Sequence, residues 1–205
     1  MESRTNIGSL HVRTSMMYGG KTMYLLRIVE TLGRAFKILY INHDIDIRSE
    51  DPYSTHSVIA SKALDKKLNV TMLKVSTLSS ISSDVVKQHP VVLIDEAQFF
   101  SDLKDAVLYM VEVLNKEVHV VGLSGDYKRN SFGQVLELEP LADDFSTLPS
   151  LTLCERCIQY TRRTPALFTH RISMGTEQVE VGSDNYIPVC RKCYMELNPP
   201  AKVAQ

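Results

Sequence analysis

The chain has 205 residues, 44% of them hydrophobic and 23% charged, a balance that excludes wholesale disorder. At roughly 150 residues per domain, this length holds one full domain and a small appendage. Lys and Arg number 23 against 24 Asp and Glu, and the net charge of −1 excludes the broad positive field that would hold nucleic acid non-specifically.

Met1 to Asn6 are polar and no apolar run approaches the ~18 residues of a membrane span, so a cytoplasmic protein without a membrane partner is expected. Leu10 to Arg13 is a short strand leading into a glycine turn at Gly19-Gly20. From Thr22 to Leu32, Leu25, Leu26, Val29 and Leu32 fall at helical spacing, and Gly33 ends the helix. Phe36 to Ile41 and Val70 to Val75 are β-rich, with a polar loop expected between them. Ser76 to Ser83 reads as a serine-rich connection or helix start. Val91-Val92-Leu93-Ile94 is continuously apolar after Pro90, as in a parallel strand buried on both faces. Ser101 to Asn115 is a helix with an apolar stripe from Leu103 to Leu114, and Val118 to Leu123 is the next strand.

Strand and helix alternate, which predicts right-handed crossovers and a mainly parallel α/β sheet with helices on both faces. After Leu148-Pro149 the texture changes to cysteine pairs and short β-like stretches, Ala166 to Ile172 and Gln178 to Val181. The expected division is 1–149 for a nucleotide-binding domain and 150–205 for a small metal-binding subdomain with a polar tail.

Ser15-Met16-Met17-Tyr18-Gly19-Gly20-Lys21-Thr22 fits the phosphate-loop pattern G-x-x-x-x-G-K-[ST] at every fixed position but the first, where Ser15 stands. Glycine lets backbone N–H groups face phosphate oxygens, Lys21 supplies a point charge to the outer phosphates, and the Thr22 hydroxyl reaches Mg²⁺. Serine suits the first position poorly if a positive φ is required there. Asp95-Glu96 closes the apolar strand, where the first acid assists Mg²⁺ and the second acts on a nucleophile. Ligands of open α/β sheets bind outside the carboxyl ends of the strands, which is where this pair falls.

All four cysteines lie in two C-x-x-C pairs, Cys154/Cys157 and Cys190/Cys193, the ligand count and spacing of a closed structural Zn²⁺ site. Four thiolates leave no open position for catalysis, so the metal clips the base of the long excursion Ile158 to Val189. None of the six histidines stands at ligand spacing from a cysteine or carboxylate, so none is expected to bind metal.

These motifs resemble those of the zinc-containing thymidine kinases of the cellular, bacterial and large-DNA-virus type, over about Gly8 to Tyr194. Met17-Tyr18-Gly19-Gly20-Lys21-Thr22 is similar to that family's M-F-S-G-K-T, and Asp95-Glu96-Ala97-Gln98-Phe99-Phe100 to its D-E-x-Q-F-F. Asp46-Ile47-Arg48 with Ser54-Thr55-His56, Gly122-Leu123 with Phe132-Gly133, Ala166-Leu167-Phe168-Thr169 with Arg171, and Val181-Gly182 leading to Tyr186 follow in the same order.

The resemblance implies a P-loop NTPase-like domain and a zinc-ribbon-like subdomain whose loop closes over the base like a lasso. It implies transfer of the ATP γ-phosphate to the 5′-hydroxyl of thymidine, with Glu96 as general base, Asp95 and Thr22 serving Mg²⁺, and Lys21 and Arg48 the phosphates. Met17, Leu123, Thr169 and Tyr186 would surround the thymine, with Phe99, Tyr127 and Phe132 on the sugar side, and Val181 and Gly182 would also bind the substrate. Apolar surroundings discriminate a missing methyl by only ~10–200-fold, so deoxyuridine is expected as a poorer substrate. A homotetramer is also implied, with no nucleic-acid partner. The competing reading is an NTP-dependent nucleic-acid-binding protein with a zinc module, since Asp95-Glu96-Ala97-Gln98 is also similar to the acidic box of some helicases. It lacks the second nucleotide-binding lobe and the basic track such a motor needs.

Overall fold

The computed structural model describes residues 7–46, 55–149, 152–175, 177–178 and 185–199, with only the backbone given for His56. Six strands form one sheet: β1 (Ser9–Ser15), β2 (Ile38–His43), β3 (Val70–Val75), β4 (Val91–Ile94), β5 (Glu117–Leu123) and β6 (Asp144–Thr147). Their order is β3-β2-β4-β5-β1-β6, and every pairing is parallel. Parallel strands need crossovers, and helices α1 (Lys21–Leu32), α2 (Thr55–Asp65), α3 (Ser83–Lys87) and α4 (Leu103–Leu108) supply them. The chain moves one way across the sheet after β1 and β2 and the other way after β3, β4 and β5. Right-handed crossovers therefore put α1 and α2 on one face and α3 and α4 on the other.

The two cores follow from strand alternation. Ile38, Tyr40, Val91 and Leu93 point to the α1 side, where Leu25, Val29 and Ile59 pack on them. Leu39, Ile41, Val92 and Ile94 point to the α4 side, against Leu103, Val107 and Met110. Each fully buried aliphatic or aromatic side chain here stabilises the fold by about 1.5–3 kcal/mol relative to exposure.

The polar loop expected between the second and third strands does not hold throughout: residues 55–65 form α2, with Ile59 fully buried. Two apolar contacts from Ile59 and Ala63 are enough to seat it against the sheet, although its sequence shows little periodicity. The helix from about Ser101 begins at Leu103 and widens into a π turn over Tyr109–Val113. Asp102, just before it, caps the neighbouring 3₁₀ turn Leu78–Ser80 instead, accepting from Leu78 N at 3.1 Å and Ser79 N at 2.8 Å. β6, which adds a parallel edge next to β1, has no counterpart in the sequence reading.

Beyond residue 151 the chain forms α5 (Glu155–Ile158), an antiparallel hairpin of β7 (Phe168–Arg171) and β8 (Tyr186–Val189), and α6 (Arg191–Leu197). Its small core holds Cys154, Val189, Cys190, Cys193 and Tyr194. The extended stretch expected from Gln178 to Val181 lies, past Gln178, outside the described residues.

Candidate active site

The carboxyl ends of β1, β4 and β5 lie side by side in the sheet, and the phosphate loop, the acidic pair and the Gly122-Leu123 turn leave from them. Ser15 ends β1 buried, in strand conformation, and its hydroxyl donates to Met16 O at 2.8 Å. Ser15 therefore takes no positive φ; within the loop Tyr18 does, at 61°. Gly20 caps α1 with φ 88°, a left-handed conformation that a Cβ would strain, so glycine there starts the helix without cost. Lys21 opens α1, and the Thr22 hydroxyl lies 2.6 Å from that of Thr55 on α2.

Asp95 is fully buried at the end of β4. Its Oδ2 accepts from the Tyr40 hydroxyl at 2.9 Å and its Oδ1 from Glu96 N at 2.9 Å. Burial, then the charge of Glu96, raises its carboxyl from 3.8 to about 7, while Lys21 and the two hydrogen bonds pull the other way. Lys21 and Asp95 are thus near enough to interact through space. The same burial, with Asp95 beside it, pushes the Tyr40 hydroxyl well above its ordinary value and keeps it a donor. A hydroxyl and a carboxylate, both hard oxygen ligands, are the donor set that suits Mg²⁺.

Glu96 departs from the strand with φ 49°, a left-handed conformation costing a non-glycine residue about 1–2 kcal/mol. Two contacts hold it there. Gln98 Nε2 donates to Glu96 Oε2 at 2.6 Å, and Gln98 Oε1 accepts from Leu123 N at 2.9 Å, tying the carboxylate to the end of β5. Gln98 was legible only as part of a motif; its amide, able to donate and accept at once, was the unused signal.

Around this pair the aromatic side chains fall into two groups. Phe99 meets Phe132 edge-on at 5.6 Å, and His43 packs on Phe99 and Phe100 at 5.7 and 4.8 Å. Tyr127 and Tyr186 stand 6.4 Å apart, with the Arg171 guanidinium 5.0 Å from the first ring and 5.9 Å from the second. The second group joins the loop after β5 to the β7–β8 hairpin. Met17 is half-buried in the phosphate loop, and Thr169 lies in β7 opposite Pro188. Arg48, Val181 and Gly182 lie outside the described residues.

The four cysteines converge, with all Sγ atoms within 4.8 Å of one another. Cys157 Sγ stands 3.8 Å from Cys190 Sγ and 3.7 Å from Cys193 Sγ. A tetrahedron with ~2.3 Å Zn–S bonds has edges of ~3.8 Å, so these residues fit zinc. Burial disfavours the Cys154 thiolate, but the backbone N–H groups of Cys190 and Cys157 outweigh it and bring the thiol down to about 7, toward the form a metal binds.

A family model described as thymidine kinase matches residues 8–194. The chain is 36% identical over 192 residues to a protein of Oryza sativa subsp. japonica named thymidine kinase, covering 92% of this chain and 67% of that one. It is 35% identical over 193 residues to the thymidine kinase of Fowlpox virus (strain NVSL), covering 91% and 97%. A Bos taurus protein named thymidine kinase, cytosolic, is 32% identical over 192 residues, covering 92% and 73%.

Proposed function

The chain belongs to the thymidine kinase family, and from that premise we propose that it transfers the ATP γ-phosphate to the thymidine 5′-hydroxyl with Glu96 as general base. The observation that carries this reading is the fixed Glu96 carboxylate, locked by Gln98 beside the buried Asp95 and one strand from the phosphate loop. Phosphoryl transfer needs little covalent help from the protein; positioning and neutralisation of developing charge carry most of the rate. Lys21, with Arg48, meets the phosphate oxygens; the Met17 to Gly20 backbone cradles them. Glu96 takes the proton from the attacking hydroxyl. Gln98 holds the Glu96 carboxylate in place through its Oε2. Thr22 and Asp95 would hold Mg²⁺, which supplies charge neutralisation at the β- and γ-phosphates when bound.

On the acceptor side, Met17, Leu123, Thr169 and Tyr186 surround the thymine, Phe99, Tyr127 and Phe132 face the sugar, and Val181 and Gly182 also bind the substrate. The contact of Tyr127 with Tyr186 supports this grouping, since it joins a sheet loop to the hairpin of the excursion between the cysteine pairs. Residues 150–205 work as a zinc-ribbon-like subdomain in which Zn²⁺ on Cys154, Cys157, Cys190 and Cys193 holds the two ends of that excursion together. A cytoplasmic homotetramer completes the reading. Its support is the name of the bovine relative, thymidine kinase, cytosolic, for the location and the family resemblance for the assembly.

The test is an acceptor panel. Protein is incubated with Mg-ATP and thymidine, deoxyuridine, uridine, deoxycytidine or single-stranded DNA. ADP release with thymidine, and more weakly with deoxyuridine, is expected; release driven by DNA would favour a nucleic-acid motor and reject the kinase assignment. Glu96→Gln should retain ATP binding while turnover falls at least ~100-fold. Near-normal turnover would remove Glu96 from its role.

A further inference from the structure

The α1 face of the sheet carries a cluster that phosphoryl transfer does not use. β1 and β5 pair with His11 opposite His119, and Glu117 lies two residues before His119 on the same strand. A strand repeats every second residue, so all three side chains leave one face, Glu117 about 6.6 Å along β5 from the His11–His119 level. Their donor atoms lie within 4.8 Å of one another, and His119 Nε2 stands 2.8 Å from Glu117 Oε1. Sequence spacing gives no reason to expect metal at these histidines; strand register adds His11, from β1, to the Glu117–His119 pair of β5. His119 is buried, whereas His11 and Glu117 are partly open to solvent.

We propose that His11, Glu117 and His119 form a second metal site, taking Zn²⁺ or another imidazole-preferring divalent transition ion, separate from the four cysteines. Two imidazoles and one carboxylate are the donor set of such ions, not of Mg²⁺ or Ca²⁺. Ligands ~2.1 Å from a tetrahedral ion stand ~3.4 Å apart, so the present donors close around one with movements of about 1 Å. The two rings now stack at 4.7 Å with 15° between their planes, and parallel rings do not aim at one point. The more exposed His11 ring must turn about its Cβ–Cγ bond, away from Asp144 Oδ2, which stands 3.9 Å from its Nδ1.

His119 is already oriented. In the metal-free protein Nε2–H donates to Glu117 Oε1 and Nδ1 accepts from the Tyr24 hydroxyl at 3.0 Å; when an ion replaces the Nε2 proton, the neutral ring carries its hydrogen on Nδ1 and donates it to the Tyr24 oxygen, the outer partner that metal-bound histidines commonly have. The nearby cation, Arg13, is engaged by Asp144, so the Glu117 carboxylate is left to offset the charge of the ion. The open side leaves a fourth position for water. A hydrogen bond along β5 accounts for Glu117 and His119 alone; it gives no reason for a second imidazole beside His119. An ion there would staple β1 to β5 and, through Tyr24, to α1.

The test counts zinc per chain after dialysis against a zinc buffer of low micromolar free ion. Wild type is expected to hold one more Zn²⁺ than the His11→Ala/Glu117→Gln double variant, and its thermal midpoint is expected to rise with free zinc while that of the variant does not. Tyr24→Phe should keep the ion but weaken it by about tenfold. Since His11 and Glu117 are partly exposed, the double variant should fold; His11→Gln alone repeats the comparison if it does not. Equal zinc counts in wild type and variant overturn the site. The outcome is independent of any phosphoryl-transfer assay, so it stands or falls apart from the kinase assignment.

Discussion

Asp95 places a carboxylate where no water reaches. Its carboxyl lies at about 7 in the folded protein against an ordinary 3.8, with burial the leading cause. A raised carboxyl stabilises the fold when protonated, an advantage lost as pH rises through about 7. Asp95→Asn should therefore stabilise the metal-free protein at about pH 8 by an order of 2–4 kcal/mol, seen as a thermal midpoint several degrees higher. That gain should shrink as pH falls towards about 4, while phosphoryl transfer is lost. A midpoint difference independent of pH would mean that Asp95 carries no buried charge. At this scale the sequence revealed the acids themselves, because Asp and Glu after an apolar strand are visible as residue types. The grip of Gln98 on Glu96 was not, since a side-chain hydrogen bond depends on the left-handed step at Glu96.

Elements with a strong periodic or uniform pattern emerged where their residues placed them: β3 and β4 run over the residues expected, and α1 starts one residue earlier. α2 and β6 were invisible for opposite reasons. α2 buries Ile59 on an otherwise weak stripe, and β6 is a four-residue edge whose one large apolar residue is Phe145. Nor does local sequence encode register, hence the late meeting of His11 with His119. Gly133, at φ 58°, tests how tightly the loop after β5 is set against the acidic strand end. A Cβ there would stand 2.3 Å from the backbone oxygen of Gln98. Gly133→Ala should cost at least ~2 kcal/mol in urea unfolding and lower turnover by moving Gln98 away from Glu96. Unchanged stability would show that the loop yields freely.

Across the whole molecule, hydrogen bonds from Tyr194 and Thr152 join the cysteine-bearing part to the loops of the sheet, beside the Tyr127–Tyr186 contact and the bond from Gln178 Nε2 to Asp126 Oδ2 at 3.0 Å. The Tyr194 hydroxyl donates to Tyr127 O at 2.7 Å, with the Arg129 guanidinium 4.7 Å from the Tyr194 ring, and the Thr152 hydroxyl donates to Tyr18 O at 2.8 Å. Tyr194 packs in the core that the cysteines form, so stripping zinc with a chelator should disorder that core first. Thymidine affinity should fall at least tenfold in calorimetry while the main far-ultraviolet circular dichroism of the sheet and its helices persists. Intact thymidine affinity after complete removal of the metal would separate the zinc from acceptor binding. Thr152 adds a consequence of its own. It grips the carbonyl of Tyr18, in the middle of the turn proposed to receive the donor nucleotide, so on that proposal occupancy at the acceptor end and occupancy at the donor end perturb one shared strut. Whatever factor thymidine applies to the dissociation constant of ATP, ATP must return to thymidine, and severing that hydroxyl with Thr152→Val should bring both factors toward unity.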